Sequence, residues 1–168
     1  GQIASDDIVT PINGTQRNQA HCLHNAGTAL HAMGEYAAAL ERYDAARALY
    51  TTIDDTQRNQ ADCLRNAGLA LADMGKHATA LERFDTARAL YATIDGTQRN
   101  QASCLYNAGN ALADMGENDR ALERYEAARA LYTTINGTQR DQAHCLHNAG
   151  TALHAMGEYA AALERYDA

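Results

Sequence analysis

The sequence predicts an all-α protein, an α-solenoid of antiparallel helix pairs, from three observations. The segment TQRNQ begins at Thr15, Thr56 and Thr97, and TQRDQ begins at Thr138, so the chain repeats every 41 residues. Within each repeat, apolar residues recur at steps of three and four along two successive segments, which is the spacing of one face of a helix. No segment alternates apolar and polar residues as a β-strand would. Such helix pairs bury their apolar faces by stacking on their neighbours.

The period divides the chain into the repeats 15–55, 56–96 and 97–137 and a shorter fourth repeat, 138–168. All four are expected to form one solenoid domain. Residues 15–45 match the fourth repeat at 30 of 31 positions, which indicates recent duplication or deliberate design.

Residues 1–14 precede the first repeat as a leader. Ile8 and Val9 align with Leu131 and Tyr132, and Ile12-Asn13-Gly14 aligns with Ile135-Asn136-Gly137. We therefore expect the leader to resemble the end of a preceding repeat's second helix.

Each repeat is predicted to contain two helices joined by a short turn. The apolar faces in the first repeat are Ala20, Leu23, Ala26, Gly27, Leu30 and Met33, then Ala39, Leu40, Tyr43, Ala46, Leu49, Tyr50 and Ile53. Gly34 is expected to end the first helix in the left-handed conformation. Thr56, Thr97 and Thr138 follow Asp or Gly and are expected to be N-caps, each accepting a backbone N–H of the next helix.

The composition is that of a globular protein, since 46% of the residues are apolar and 21% are charged. Fourteen basic and 21 acidic residues give a formal charge of −7, which argues against a nucleic-acid partner. No apolar run approaches the roughly 18 residues that a membrane span needs, and the first residues lack the pattern of a secretory signal. We expect a cytoplasmic protein with no membrane partner.

The order of residue types resembles the tetratricopeptide repeat, although a period near 41 also fits HEAT and armadillo helices and WD40 blades. The resemblance is carried by Asn25-Ala26-Gly27-Thr28-Ala29-Leu30 and Met33-Gly34-Glu35-Tyr36, followed by Ala39-Leu40, Tyr43 and Ala46. Leu23 stands where the family often has tryptophan, and no proline follows the second helix. The repeat is longer than the usual length of about 34 residues, similar to the repeats of kinesin light chains and of sensor regions in bacterial signalling ATPases. The resemblance implies a right-handed superhelix whose first helices line a concave groove for an extended peptide.

The first helices differ from repeat to repeat along one face, which the resemblance implies is the groove. The varying positions are His21, Asp62, Ser103 and His144; His24, Arg65, Tyr106 and His147; Thr28, Leu69, Asn110 and Thr151; His31, Ala72, Ala113 and His154; and Ala32, Asp73, Asp114 and Ala155. The alternative is that a solvated face has simply drifted.

One groove position does not vary, because Asn25, Asn66, Asn107 and Asn148 are the same in every repeat. An asparagine amide both donates and accepts hydrogen bonds, so it can pair with the backbone of a peptide of any sequence. The resemblance implies that use here. The alternatives are a structural hydrogen bond to a neighbouring helix and a residue copied by duplication.

The charges of the face predict a basic ligand, because in the two middle repeats Asp62, Asp73 and Asp114 face only one cation, Arg65. Histidines of the end repeats would become cationic below about pH 6 and oppose that ligand. No metal site is expected at these histidines, since they lie three and seven residues apart with no carboxylate among them.

Neither disulfides nor catalysis are expected. Cys22, Cys63, Cys104 and Cys145 occur once per repeat on helices too far apart for disulfides, so they are expected to be free thiols. No phosphate-binding loop, catalytic triad or paired carboxylates can be identified, so we expect no catalytic residue and no cofactor.

The leading hypothesis is therefore a non-catalytic scaffold that binds a peptide or protein. The alternative is a self-assembly module that stacks head to tail, because neither end carries a polar capping helix and apolar stacking faces would meet water. A third hypothesis is a sensor segment of a larger regulatory ATPase.

Overall fold

The computed structural model describes the backbone of residues 5–168 and the side chains from residue 14 onward. The helices are α1 (Ser5–Ala32), α2 (Tyr36–Tyr50), α3 (Gln57–Asp73), α4 (His77–Tyr91), α5 (Gln98–Asp114), α6 (Asn118–Tyr132), α7 (Gln139–Ala155) and α8 (Tyr159–Asp167). No strand occurs in this part of the chain, and each helix packs against the next. The predicted all-α solenoid of helix pairs is confirmed.

Short turns with a left-handed residue separate the helices. Gly34 has a φ of 80°, as predicted, and ends the first helix of its repeat. Between repeats the same conformation is adopted by Gly96 and Gly137 and, in the first such turn, by Asp55 with a φ of 57°. Aspartate is among the few residues with a side chain that enter this region readily.

The threonine at the start of each later repeat is buried and lies at the predicted N-cap position, but the predicted side-chain bond to a backbone N–H is absent. Thr56 lies at the N-cap of α3 but makes no side-chain capping bond. Its hydroxyl instead donates towards the carbonyls of Tyr50 and Ile53, at 2.6 and 2.8 Å, and accepts from the amide of Gln60 at 3.1 Å. The turn folds the end of the second helix onto the hydroxyl, so the threonine adds a hydrogen bond at the carbonyls of Tyr50, which also accepts the backbone N–H of Ile53, and of Ile53 itself.

The core forms a series of clusters, each shared by two repeats. Phe84 of α4 belongs to a cluster with Leu71 of its own repeat and Ala108 of the next. Its ring also covers Gly68, where an added Cβ would lie 2.7 Å from Cε1 of the ring. The second helix of each repeat therefore fills the space between two first helices.

The first helices lie on the inner side of the solenoid. The backbones of successive first helices approach each other, as those of α1 and α3 and of α3 and α5 do, whereas no such approach joins the backbones of successive second helices in the described chain. A stack bends towards the side on which its layers lie closer together. The first-helix surface is therefore the concave one, which we call the inner face.

Charged side chains bridge successive second helices on the opposite side, a feature that the sequence analysis missed. The pairs are Arg83 with Asp44 at 2.6 Å, Arg124 with Asp85, and Arg165 with Glu126 at 2.7 Å. Each pair joins residues 39 positions apart, so we call this the 39-residue ladder. The sequence does contain a signal for these pairs, because in each case the arginine follows an acidic residue of the previous repeat by the same number of positions.

The leader runs into the first repeat, since α1 is one helix over Ser5–Ala32. The side chains of residues 5–13 and all of residues 1–4 lie outside the described residues, so the expected likeness of the leader to the end of a second helix stays a prediction.

No described helix combines the length and the apolar character needed to cross a bilayer.

We predict that Thr97→Val lowers the free energy of unfolding by about 1–3 kcal/mol, because two backbone carbonyls and the half-buried amide of Gln101 each lose a hydrogen bond to a buried hydroxyl. The hydroxyl of Thr97 donates towards the carbonyls of Tyr91 and Ile94 and accepts from Gln101. The matched control is Thr93→Val. The hydroxyl of Thr93 is exposed and bonds only the carbonyl of Leu90, so this change should alter the free energy of unfolding by less than about 0.5 kcal/mol. Urea denaturation measures both, and equal effects would contradict the buried role of Thr97.

Candidate functional site

The predicted site residues all lie on first helices, and none of them is buried. Exposed members are Asn25, Thr28, Asp73, Asp114 and His147, and half-buried members are His24, Arg65, Asn66, Leu69, Tyr106, Asn107, Asn110 and Asn148. The inner face is therefore reachable from solvent along its length.

Two neighbouring depressions bring together part of the predicted set. One, of about 230 Å³ between α3 and α5, is lined by Leu69, Asp73, Asn107, Asn110 and Asp114, with Phe84 below them. The next, of about 320 Å³, lies between α5 and α7. It is lined by Asn110, Asp114, Asn148 and Thr151, with Tyr125 below. The other predicted site residues lie outside both depressions; they are Asn25, His24, Thr28, Arg65, Asn66, Tyr106 and His147.

The four asparagines are not equivalent. The amide nitrogen of Asn66 lies 2.9 Å from Nε2 of His24, and that of Asn148 donates to the Tyr106 hydroxyl at 2.9 Å and to Oδ1 of Asn110 at 3.1 Å. These bonds join successive first helices. Asn107 makes no side-chain hydrogen bond to any described residue.

Rings on the inner face pack at a tilt against rings of the aromatic core. The ring centroids of Tyr106 and Tyr125 are 5.8 Å apart, and those of His24 and Tyr43 are 5.5 Å apart. Burial lowers the pKa of His24, so this ring stays neutral to a lower pH than an ordinary histidine. The predicted charging of the end repeats below about pH 6 is therefore incomplete at His24.

The expectation that the aspartates face only Arg65 is wrong. Asp73 lies 2.8 Å from Nε2 of His31, and Asp114 lies 3.6 Å from Nδ1 of His77. Both contacts cross from one repeat to the next, so comparing equivalent positions within single repeats did not reveal them.

Asp62 also has a second neighbour, since it accepts a hydrogen bond from the Tyr91 hydroxyl and lies 3.9 Å from Arg65. That carboxylate and burial both raise the pKa of Tyr91, which stays a neutral donor. Asp62 is thus tied to the core, while the side chains of Asp73 and Asp114 remain 47% and 59% exposed.

Metal-binding side chains do not converge on the inner face. Among the described residues, no group of three or more histidine, cysteine, aspartate or glutamate side chains could hold a metal ion. Four of the six histidines of the end repeats instead contact tyrosine rings, as His154 does Tyr159.

The four cysteines are free, and they lie in two different environments. Cys63, Cys104 and Cys145 are buried, whereas Cys22 on α1 is exposed. Burial raises the pKa of Cys63 and of Cys104 to about 12 and that of Cys145 to about 11. Only Cys22 is open to reagents in the folded chain.

The family model described as tetratricopeptide repeat matches residues 18–93, 59–134 and 100–168. The chain belongs to the tetratricopeptide repeat family. The match spans most of the sequence and confirms the resemblance on which the expected groove was based. A comparison with curated protein sequences finds no significant match.

Solved structures of similar fold are less than 25% identical to this repeat protein. BtubC (BKLC) from P. vanneervenii has a TM-score of 0.80 and 20% identity over 88% of this chain, which spans 60% of BtubC. MamA has a TM-score of 0.72 and 20% identity, covering 94% of this chain and 80% of MamA. The Rap conjugation gene regulator of plasmid pLS20, solved with a Phr peptide, has a TM-score of 0.72 and 21% identity, covering 86% of this chain and 40% of its own.

We predict that a thiol reagent such as DTNB labels one cysteine per folded chain rapidly at pH 8 and all four only after unfolding. Burial and a high pKa leave Cys63, Cys104 and Cys145 almost without reactive thiolate. Cys22→Ser should remove the rapid phase. Rapid reaction of two or more thiols in the native wild-type protein would contradict the packing described.

Proposed function

We propose that the inner face binds an extended segment of a partner protein or peptide. The observation that carries this proposal is the pair of adjoining depressions, which gather amides and carboxylates from α3, α5 and α7 over an aromatic floor. The family supports the proposal because it is a family of interaction scaffolds, and the comparisons indicate no enzyme family. One structurally similar protein, the Rap regulator, was solved with a bound peptide.

The asparagines supply hydrogen bonds that do not depend on ligand sequence. In the described chain nothing donates to Oδ1 of Asn66 or Asn148, so each oxygen is left to accept a peptide N–H. Asn107 has its whole amide available and lies in the depression between α3 and α5. In this proposal Asn107 hydrogen-bonds the ligand backbone with its whole amide. Asn66 and Asn148 bond the neighbouring repeat through the amide nitrogen and the ligand through Oδ1.

The exposed carboxylates select a ligand with lysine or arginine. Asp73 and Asp114 line the same depression, and their histidine neighbours are neutral when unprotonated. The third hypothesis, a sensor segment of a larger regulatory protein, stays a prediction.

We predict that Asn107→Ala weakens a peptide obtained by display selection by about 1–3 kcal/mol without changing the stability of the protein. Asn66→Ala should lower both binding and stability, because it also breaks the bond to His24. The matched control is Asn136→Ala, which removes the same amide from an exposed turn. Isothermal titration and thermal denaturation separate the two effects.

Unchanged affinity in Asn107→Ala would contradict the backbone contact. A selection that returns mainly acidic peptides would contradict the proposed role of Asp73 and Asp114.

A further inference from the structure

The depression between α3 and α5 differs in its charge from the other spaces between first helices. The inner-face position that holds Asp73 and Asp114 in the middle repeats holds alanine in the outer two, at Ala32 and Ala155. Of the described repeats, only the two that form this depression therefore place a carboxylate on both of its walls. The depression between α5 and α7 has Asp114 as its only carboxylate.

The same depression also has an apolar surface that the other repeats do not offer. Leu69 lies at a position that is threonine or asparagine in every other repeat. Leu69 and Ala72 pack against the core cluster that contains Phe84, and all three residues line the depression. A side chain that enters here therefore meets an apolar floor and two acidic walls.

The acidic walls have hydrogen-bonding capacity that the described chain does not use. Asp73 contacts His31 through Oδ2 alone. The carboxylate of Asp114 lies 3.6 Å from Nδ1 of His77, which is longer than a hydrogen bond. Among the described residues, no lysine or arginine lines the depression. A ligand group that brings a positive charge and several donors would complement both walls.

Arginine matches these surfaces better than lysine. A guanidinium group is flat and weakly hydrated, and its five N–H donors point outward in one plane. Its face can lie on Leu69 and Ala72 while the donors at its edges reach carboxylates on both sides. A lysine ammonium is strongly hydrated and directs its donors from a single point, so it would lose more hydration against the same apolar floor.

We propose that the depression between α3 and α5 is an arginine pocket, which binds one arginine side chain of the segment held by the inner face. The guanidinium lies on Leu69 and donates to Asp73 and Asp114 at once. This inference rests on the proposed function and deepens it, because it chooses arginine over lysine and assigns it to one place in the stack. The depression between α5 and α7, with a single carboxylate and no leucine, has no such preference.

Peptide variants test the choice of side chain. The probe is a synthetic copy of the tightest peptide obtained by display selection of a random library against the folded protein. We expect it to contain an arginine whose replacement by citrulline, which is uncharged and similar in shape, weakens binding roughly tenfold. Replacement of that arginine by lysine should weaken binding roughly threefold, because the charge stays but the planar donors are lost. Isothermal titration measures all three peptides.

Protein variants test the place of binding. Asp73→Asn and Asp114→Asn should each weaken the arginine peptide by roughly threefold to tenfold and leave the citrulline peptide almost unchanged, because the lost attraction needs the charge on the peptide. Asp95→Asn is the matched control, since it removes the same charge from an exposed turn and should affect neither peptide. The thermal denaturation of all three variants should resemble that of the wild-type protein.

Asn107→Ala distinguishes a failure of the arginine pocket from a failure of the proposed function. Suppose that Asn107→Ala weakens the selected peptides, but that they lack arginine or that the aspartate variants affect the arginine and citrulline peptides equally. The arginine pocket is then overturned, while peptide binding by the inner face stands. A selection that returns no peptide, or only peptides insensitive to Asn107→Ala, would overturn the proposed function and the arginine pocket with it.

Discussion

The stack depends on a close contact between a glycine of each first helix and an aromatic ring of the second helix in the same repeat. A Cβ added at Gly27, Gly68, Gly109 or Gly150 would lie between 2.6 and 2.8 Å from the ring of Tyr43, Phe84, Tyr125 or Tyr166. Real side-chain contacts are longer, so any side chain at the glycine would push the helices apart. The missing side chain lets the ring lie on the helix backbone, and from there the ring reaches the next repeat.

Because of this contact, two sides of the first helix have different structural roles. The side that carries Gly68 is occupied by packing and accepts no variation in volume. The opposite side points into the concavity, where Leu69 and Asn110 occupy equivalent positions with different chemistry. The inner face therefore tolerates variation that the glycine side does not, although Tyr106 and Asn110 also bond Asn148 of the next repeat. The asparagines lie at the border, which explains why Asn66 and Asn148 contribute to both sides.

The sequence was sufficient for the features that repeat within a single unit. Apolar spacing predicted both helices of each pair. The end of the first helix at Gly34 could also be predicted, because it depends only on a backbone conformation that glycine adopts readily. The family resemblance predicted which face of the first helix is concave. The candidate site could be predicted only as a set of positions on that face, because the depressions between α3, α5 and α7 depend on the spacing of the helices.

Contacts between repeats were harder to predict. The His31–Asp73 and His77–Asp114 contacts span different offsets along the chain, and neither is evident from a comparison of equivalent positions. The direction of the Thr56 hydroxyl depended on where the preceding helix ended, which brings two carbonyls within 2.8 Å of it.

A double-mutant cycle on Gly68 and Phe84 tests the central contact most directly. Gly68→Ala should destabilise the protein by about 1–3 kcal/mol through overpacking, although alanine is normally the better helix former. Phe84→Leu removes the ring atoms nearest to the new methyl group, so the double variant should be more stable than the sum of the single changes predicts, by at least about 1 kcal/mol. Additive effects, or a Gly68→Ala variant more stable than the wild-type protein, would contradict the account.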